Sequence, residues 1–380
     1  MRKLFLLLFL IYSASNFGQV TKIMYPSLKL NGEREITIGL PKNYDKNPEK
    51  KYPLVIILDG DYLFDPFLGA LRYGAYWDDL PETITVGISQ NKNNERESDS
   101  TYGENTGLPI DQGSAFYEFI GLELIPYIQE KYRLAPFKII AGHDTTAGFL
   151  NFYLYKDVPL FDGYISMSPI LAKGMINEIP KRLAVLQKPI FYYLSTADGD
   201  IKKMQTNIRE LDSVVSTVSN SKLNYKFNNF KGENHYSMVS ISIPKALSSF
   251  FYTYSPISIK EFLEVIVKLP DGHVDYLVNK YENIKKTLSI NMPIRINDYR
   301  AIEAAILKNK TYDEFKDLSD LAKRDYPKSM LSDFYLALMY EKKGEFKKAS
   351  KLYQGAYLKE EIRDLTTQIM LDKADELKNQ

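Results

Sequence analysis

Asp144 lies in Ala141-Gly142-His143-Asp144-Thr145-Thr146-Ala147-Gly148, between the apolar run Phe137 to Gly142 and a segment of helical pattern that begins at Ala147. A residue on such a strand-to-helix turn sits at a strained backbone position, which requires small neighbours on either side. Gly142 meets that requirement, Thr146 meets it loosely, and Ala147 and Gly148 keep the start of the helix slim. A carboxylate in that place is an accepted nucleophile. The chain holds three histidines, His143, His235 and His273. His235, in KGENHYSM after the strand-like LNYKFNNF, is the candidate base. His143 is expected to point away from the site, and His273, in PDGHVDYL, to begin a helix. Asp198 and Asp200, in TADGDIKKM, are candidate acids to orient His235; either serves equally as a turn residue or as the N-cap of the helix that follows. Backbone N–H groups of Thr145 and of Gly60, Asp61 or Tyr62 are candidates for an oxyanion hole, a role that depends on geometry and not on side-chain identity. Arg96, in the polar stretch 91–113, is suited to binding a substrate carboxylate, although a lone loop arginine ordinarily sits in solvent.

These residues need a scaffold, and the apolar pattern supplies one. Tyr52–Gly60, Thr83–Ser89, Phe137–Gly142, Phe161–Pro169 and Lys188–Ser195 are continuous apolar runs of strand length, as expected for strands buried on both faces. Helical periodicity fills the intervals, most clearly over Ser114–Tyr132. Strand and helix in alternation predict an α/β fold with a mostly parallel sheet covered on both sides. Ile23–Lys29 and Glu35–Leu40, joined by Asn31-Gly32-Glu33-Arg34, predict an antiparallel edge hairpin.

YPLVIILDGDYLF, ELIPYIQEKYRLAPFKIIAGHDTTAG, LFDGYISMSPIL and GENHYSM, in that order, resemble the esterase family of α/β-hydrolases that includes enterochelin esterases and esterase D. The resemblance runs from about Tyr25 to Tyr254 and implies an α/β-hydrolase fold, an ester-type substrate, His235 as general base and the chain order nucleophile, acid, histidine. It also implies a serine at position 144, where this chain has Asp144. Three chemistries compete there. The carboxylate attacks an alkyl carbon and His235 activates the water that releases the product. Alternatively His235 acts directly on water, with the residual rate of ~10³–10⁴ that triad enzymes keep when one member is removed. In the third, Asp144 and His235 form an ion pair that binds a ligand without turning it over.

Forty-nine basic and 48 acidic residues give a formal net charge of +1, so charge favours neither nucleic acid nor an acidic surface as partner; a small molecule or peptide is expected. No cofactor or metal site is expected, since no phosphate loop, histidine pair or cysteine cluster has the required spacing, and the chain has no cysteine. Arg2 and Lys3 before the apolar run Leu4–Tyr12 read as a secretory leader over residues 1–18, which predicts a periplasmic or secreted protein without a membrane span in its mature form. Residues 19–255 then form the hydrolase domain and 256–380 a helical one. Within the latter, tetratricopeptide-like repeats are expected at 296–329 and 330–363. Two repeats cannot hide their own apolar faces, so they dock on the rest of the chain or offer a surface to a protein or peptide.

Overall fold

The computed structural model describes residues 20–378, so the leader expected at 1–18 lies outside the described residues. The chain folds as two compact units: residues up to Tyr254 with Leu288–Ile290, and Ser255–Thr287 with Asn291 onward.

Unit one is built on an eight-stranded sheet. Its strands are β1 (Val20–Ser27), β2 (Gly32–Gly39), β3 (Tyr52–Ile57), β4 (Ile84–Ile88), β5 (Leu134–His143), β6 (Gly163–Met167), β7 (Ile190–Gly199) and β8 (Leu223–Asn234), in the order β1-β2-β4-β3-β5-β6-β7-β8. The β1–β2 and β2–β4 pairs are antiparallel and the remaining pairs parallel. The inner strands β3, β4 and β6 are buried along their whole length, which explains their unbroken apolar sequence. Edge strands β1 and β8 alternate exposed with partly buried positions. The edge hairpin forms, but its turn is Leu28–Asn31, with Asn31 at φ 51°, and Gly32 pairs with Ser27 inside the ladder. The turn thus falls earlier than the Asn-Gly signal at 31–32 indicated.

Among the described residues, eight α-helices accompany the sheet: α1 (Gly60–Tyr76), α2 (Glu95–Asp99), α3 (Asp111–Glu118), α4 (Ile125–Lys131), α5 (Thr145–Phe149), α6 (Met175–Ala184), α7 (Lys202–Val215) and α8 (Ser237–Phe250). The helix expected over Ser114–Tyr132 is α3 and α4 joined through a π-helical segment, Phe119–Leu124. Pro126, which has no N–H to donate to the carbonyl four residues back, accounts for a loosened turn at that place. The long helix expected after Ala147 is the short α5 followed by a 3₁₀ stretch, Leu150–Tyr155. Trp77, the single tryptophan of the chain, closes α1, is 59% exposed and meets Tyr76 edge to face at 5.1 Å.

Unit two is helical: α9 (Ile259–Glu264), α10 (His273–Leu288), α11 (Ile296–Asn309), α12 (Glu314–Asp325), α13 (Leu331–Lys342), α14 (Phe346–Gly355) and α15 (Thr367–Lys378). Small and aromatic positions Ala305, Ala322, Ala337, Ala349 and Tyr353 are fully buried in it. His273 begins α10 and is buried, with Nδ1 2.8 Å from Glu314 Oε1.

Candidate active site

The chain leaves the parallel strands on one side of the sheet, and each departure carries a polar residue: Asp59 beyond β3, Asp144 after β5, Ser168 after β6, Asp200 after β7 and His235 after β8. From β3 the order runs outward to β4 on one side and to β5 on the other, so Asp59 and Asp144 stand at the carboxyl ends of strands flanking the point where the winding reverses. That is where open α/β sheets bind ligands.

Asp144 occupies a strained turn, at φ 61° and ψ −120°. Its N–H donates to Met167 O, and its carbonyl accepts from Gly148 N–H and Ile170 N–H at 3.1 and 3.0 Å. A β-carbon on Gly142 would stand 2.8 Å from Thr146 Oγ1, and one on Gly148 would stand 1.8 Å from Ile170 O, so both glycines are required by close approach. Thr146 fits where a smaller residue was expected because its hydroxyl is used: it lies 2.6 Å from Asp59 Oδ2 and accepts the His143 N–H at 3.2 Å.

Arg96 is the surprise of this cluster. Its Nε donates to Asp59 Oδ1 at 2.7 Å, Nη1 to Asp144 Oδ2 at 3.1 Å and Nη2 to the His143 carbonyl at 2.8 Å. The solvent expected around a loop arginine is therefore absent from most of this side chain, which is 20% exposed. The segment that carries it is anchored by a buried Arg34–Asp99 pair and by Gln90, whose amide bonds both Asp99 and the Asp59 N–H. Burial pushes the Asp59 carboxyl above its ordinary value despite Arg96, and burial of Arg96 is outweighed by Asp59, Tyr62 and Asp144, which hold its guanidinium firmly charged. Asp144 Oδ1, by contrast, is buried without a hydrogen-bond partner.

The second cluster surrounds His235, which is 6% exposed. Its Nδ1 lies 2.8 Å from Asp200 Oδ1 and 3.1 Å from Ser168 Oγ. Burial raises the Asp200 carboxyl, but donors from His235, Thr196, Ser168 and the Ile201 N–H outweigh it and take the pKa down to about 2. A register shift between Ala197 and Gly199 marks a bulge in β7, which separates the two candidate acids. Asp198 faces outward, bonded to Asn229 and 3.6 Å from Arg209, whereas Asp200 turns in. Neither caps the next helix, because the N-cap of α7 is Ile201.

His143 does not turn away from the cluster. Its ring lies 4.6 Å from that of His235, with Nδ1 3.1 Å from Tyr62 Oη and Nε2 3.1 Å from the His235 carbonyl oxygen. Burial, then the neighbouring His235, lower its pKa to about 4, so it is neutral at ordinary pH. Among the oxyanion candidates, Thr145 and Gly60 begin α5 and α1, where first-turn N–H groups are free of intrahelical bonds. Tyr62 N–H, however, donates to Asp59 O at 3.1 Å and is not free for an oxyanion. The Asp61 carboxylate is taken up by Ser89, Gln90 and Asn91.

A model of the family described as "Putative esterase" matches residues 27–233, more than half of the chain. The chain belongs to this esterase family. It is 24% identical over 252 residues to the ferri-bacillibactin esterase of Bacillus subtilis, a match that covers 57% of this chain and 85% of that protein. A crystal structure of an uncharacterised protein from Capnocytophaga ochracea is 30% identical, covers 95% of this chain and 100% of its own, and superposes with a TM-score of 0.85. An IroE-like serine hydrolase from Shewanella oneidensis, 18% identical with a TM-score of 0.61 over 80% of this chain and 99% of its own, shares the fold.

Membership makes this an esterase-type hydrolase with an α/β-hydrolase core and a helical C-terminal region. No helix among the described residues is long and apolar enough to cross a membrane. Asp59, the Tyr62 hydroxyl and Ser168 belong to the candidate site but were not legible in the sequence. An Asp-Gly after a strand and a Ser-Pro after another read as ordinary turns, and only the positive φ of Asp59 and Ser168, at 54° and 46°, sets them apart.

Proposed function

We propose that this esterase-family chain hydrolyses a small ester by water attack, with His235 as general base, Asp200 as its orienting acid and Asp144 as a fixed acceptor for the attacking water. The observation that carries this reading is the His235–Asp200 pair, fully supported by its donors, on the same sheet edge as a carboxylate already claimed by Arg96. A carboxylate oxygen in a charge-assisted bond to a guanidinium is a poor nucleophile. Asp144 Oδ1 retains its lone pairs and suits a water O–H. Arg96 also offsets the charge that would oppose an oxyanion forming near Asp144. Thr145 and Gly60 or Asp61 N–H groups are the oxyanion donors in this scheme, and the leader read at 1–18 sets the activity in the periplasm or outside the cell. Ferri-bacillibactin, named for the Bacillus subtilis relative, belongs in the substrate panel beside activated aryl esters, alkyl halides and epoxides.

Single turnover in heavy-oxygen water tests it. Water attack puts one solvent oxygen into the acid product in the first turnover, and His235→Ala abolishes turnover without trapping an adduct. Product free of label in that turnover, with added mass on the peptide containing Asp144 in His235→Ala, would establish Asp144 as the nucleophile and overturn the scheme. The Arg96–Asp144 ion pair also favours a second reading, a binding protein on the same scaffold. That reading is upheld if wild type stays at the buffer rate on every substrate while Asp144→Ser turns over an aryl ester.

A further inference from the structure

Ser168 follows β6 directly and is fully buried. It holds φ 46°, a conformation sparsely populated by any residue but glycine and retained only where surrounding contacts enforce it. Two contacts do so. Its N–H donates to Ser195 O at 2.9 Å, and its Oγ lies 2.7 Å from Asp200 Oδ2 and 3.1 Å from His235 Nδ1. We infer that Ser168 is a positioning residue for His235, bridging the imidazole and Asp200 and fixing which ring nitrogen is left free as the base. The inference rests on the hydrolase reading above only for its effect on rate.

The proton count decides the direction of each bond. A serine has one O–H to give. If Ser168 gave it to His235 Nδ1, that nitrogen would carry a bare lone pair and face Asp200 Oδ1 at 2.8 Å, lone pair against lone pair. With the hydroxyl donated to Asp200 Oδ2, Nδ1 carries the proton and meets two acceptors, Asp200 Oδ1 and Ser168 Oγ. Nε2 is then unprotonated. The other donors on Asp200 leave its carboxylate no freedom to rotate: Thr196 Oγ1 on Oδ2 at 2.6 Å and Ile201 N–H on Oδ1 at 2.8 Å. The hydroxyl dipole therefore has its hydrogen end on the carboxylate and its oxygen end on the imidazole, which holds the ring in the Nδ1–H form. Other groups facing His235 are the neutral ring of His143 and Tyr236, whose ring is 4.9 Å away.

Ser168→Ala removes the bridge and keeps the β-carbon; Ser168→Gly removes it and relieves the positive φ. Both variants should lower kcat about tenfold, equal to ~1.4 kcal/mol, with KM little changed. The three histidines are few enough to assign individually by NMR, and in both variants the His235 Nδ1–H resonance should move upfield. A kcat restored to the wild-type value in Ser168→Gly would show that only the backbone at 168 matters. An unchanged Nδ1–H resonance of His235 in Ser168→Ala would also overturn the assignment. If wild-type protein turns over no ester, the resonance arm still decides the role of Ser168, and the failure falls on the hydrolase reading alone.

Discussion

At the scale of single residues, His143 carries a pH-dependent share of stability that is separate from any turnover. Burial lowers its pKa from 6.5 to about 4, so between those values the unfolded chain binds a proton that the native one does not. Its contribution is complete above about pH 6.5 and is lost as pH falls through that window toward 4, a difference of ~3 kcal/mol. Urea titrations of wild type and His143→Gln at pH 7 and pH 4.5 should show the variant losing less stability on acidification; equal losses would refute the buried neutral imidazole. Asp200 acts lower on the scale: its pKa of about 2 lies below the ordinary 3.8, so its contribution is present above 3.8 and fades only as pH falls through about 2. Asp144 and His235 were legible as candidate site residues because each came inside a motif. Arg96 was legible only as a candidate for a substrate carboxylate, since only the folded chain shows two of the protein's own carboxylates, Asp59 and Asp144, converging on its guanidinium.

At the scale of elements, the elbow depends on how closely α5 approaches the segment after β6. Gly148→Ala would set a β-carbon 1.8 Å from Ile170 O, and a backbone carbonyl cannot give way as a flexible side chain can. We expect a loss of ~3 kcal/mol, at the upper end of overpacking costs. Gly69→Ala is the matched control: it lies in mid-α1, exposed, with nothing within 4 Å of its added carbon, and should stabilise by up to ~1 kcal/mol. Equal thermal midpoints for the two variants would show that the elbow yields. The strands were readable because complete burial writes a continuous apolar run, as in β3. The bulge at Asp198 and the π-helical Phe119–Leu124 were not, because a local departure from regular pairing leaves the apolar pattern on either side intact.

At the scale of the molecule, two compact units on one chain predict departures from two-state unfolding. The helical character of unit two was legible in the sequence, whereas the assignment of Leu288–Ile290 to unit one was not, since nothing in those residues marks it. Calorimetry should give two transitions or a van't Hoff enthalpy below the calorimetric one; one sharp transition with equal enthalpies would mean that the units melt together. Trp77 makes the assignment possible. Because the sole tryptophan belongs to unit one and stands partly in water at the end of α1, its emission is a private optical reporter of that unit, silent while the other melts. Far-ultraviolet circular dichroism sums the helices of both, so a gap between the two melting curves would identify which unit lets go first without a single label being introduced.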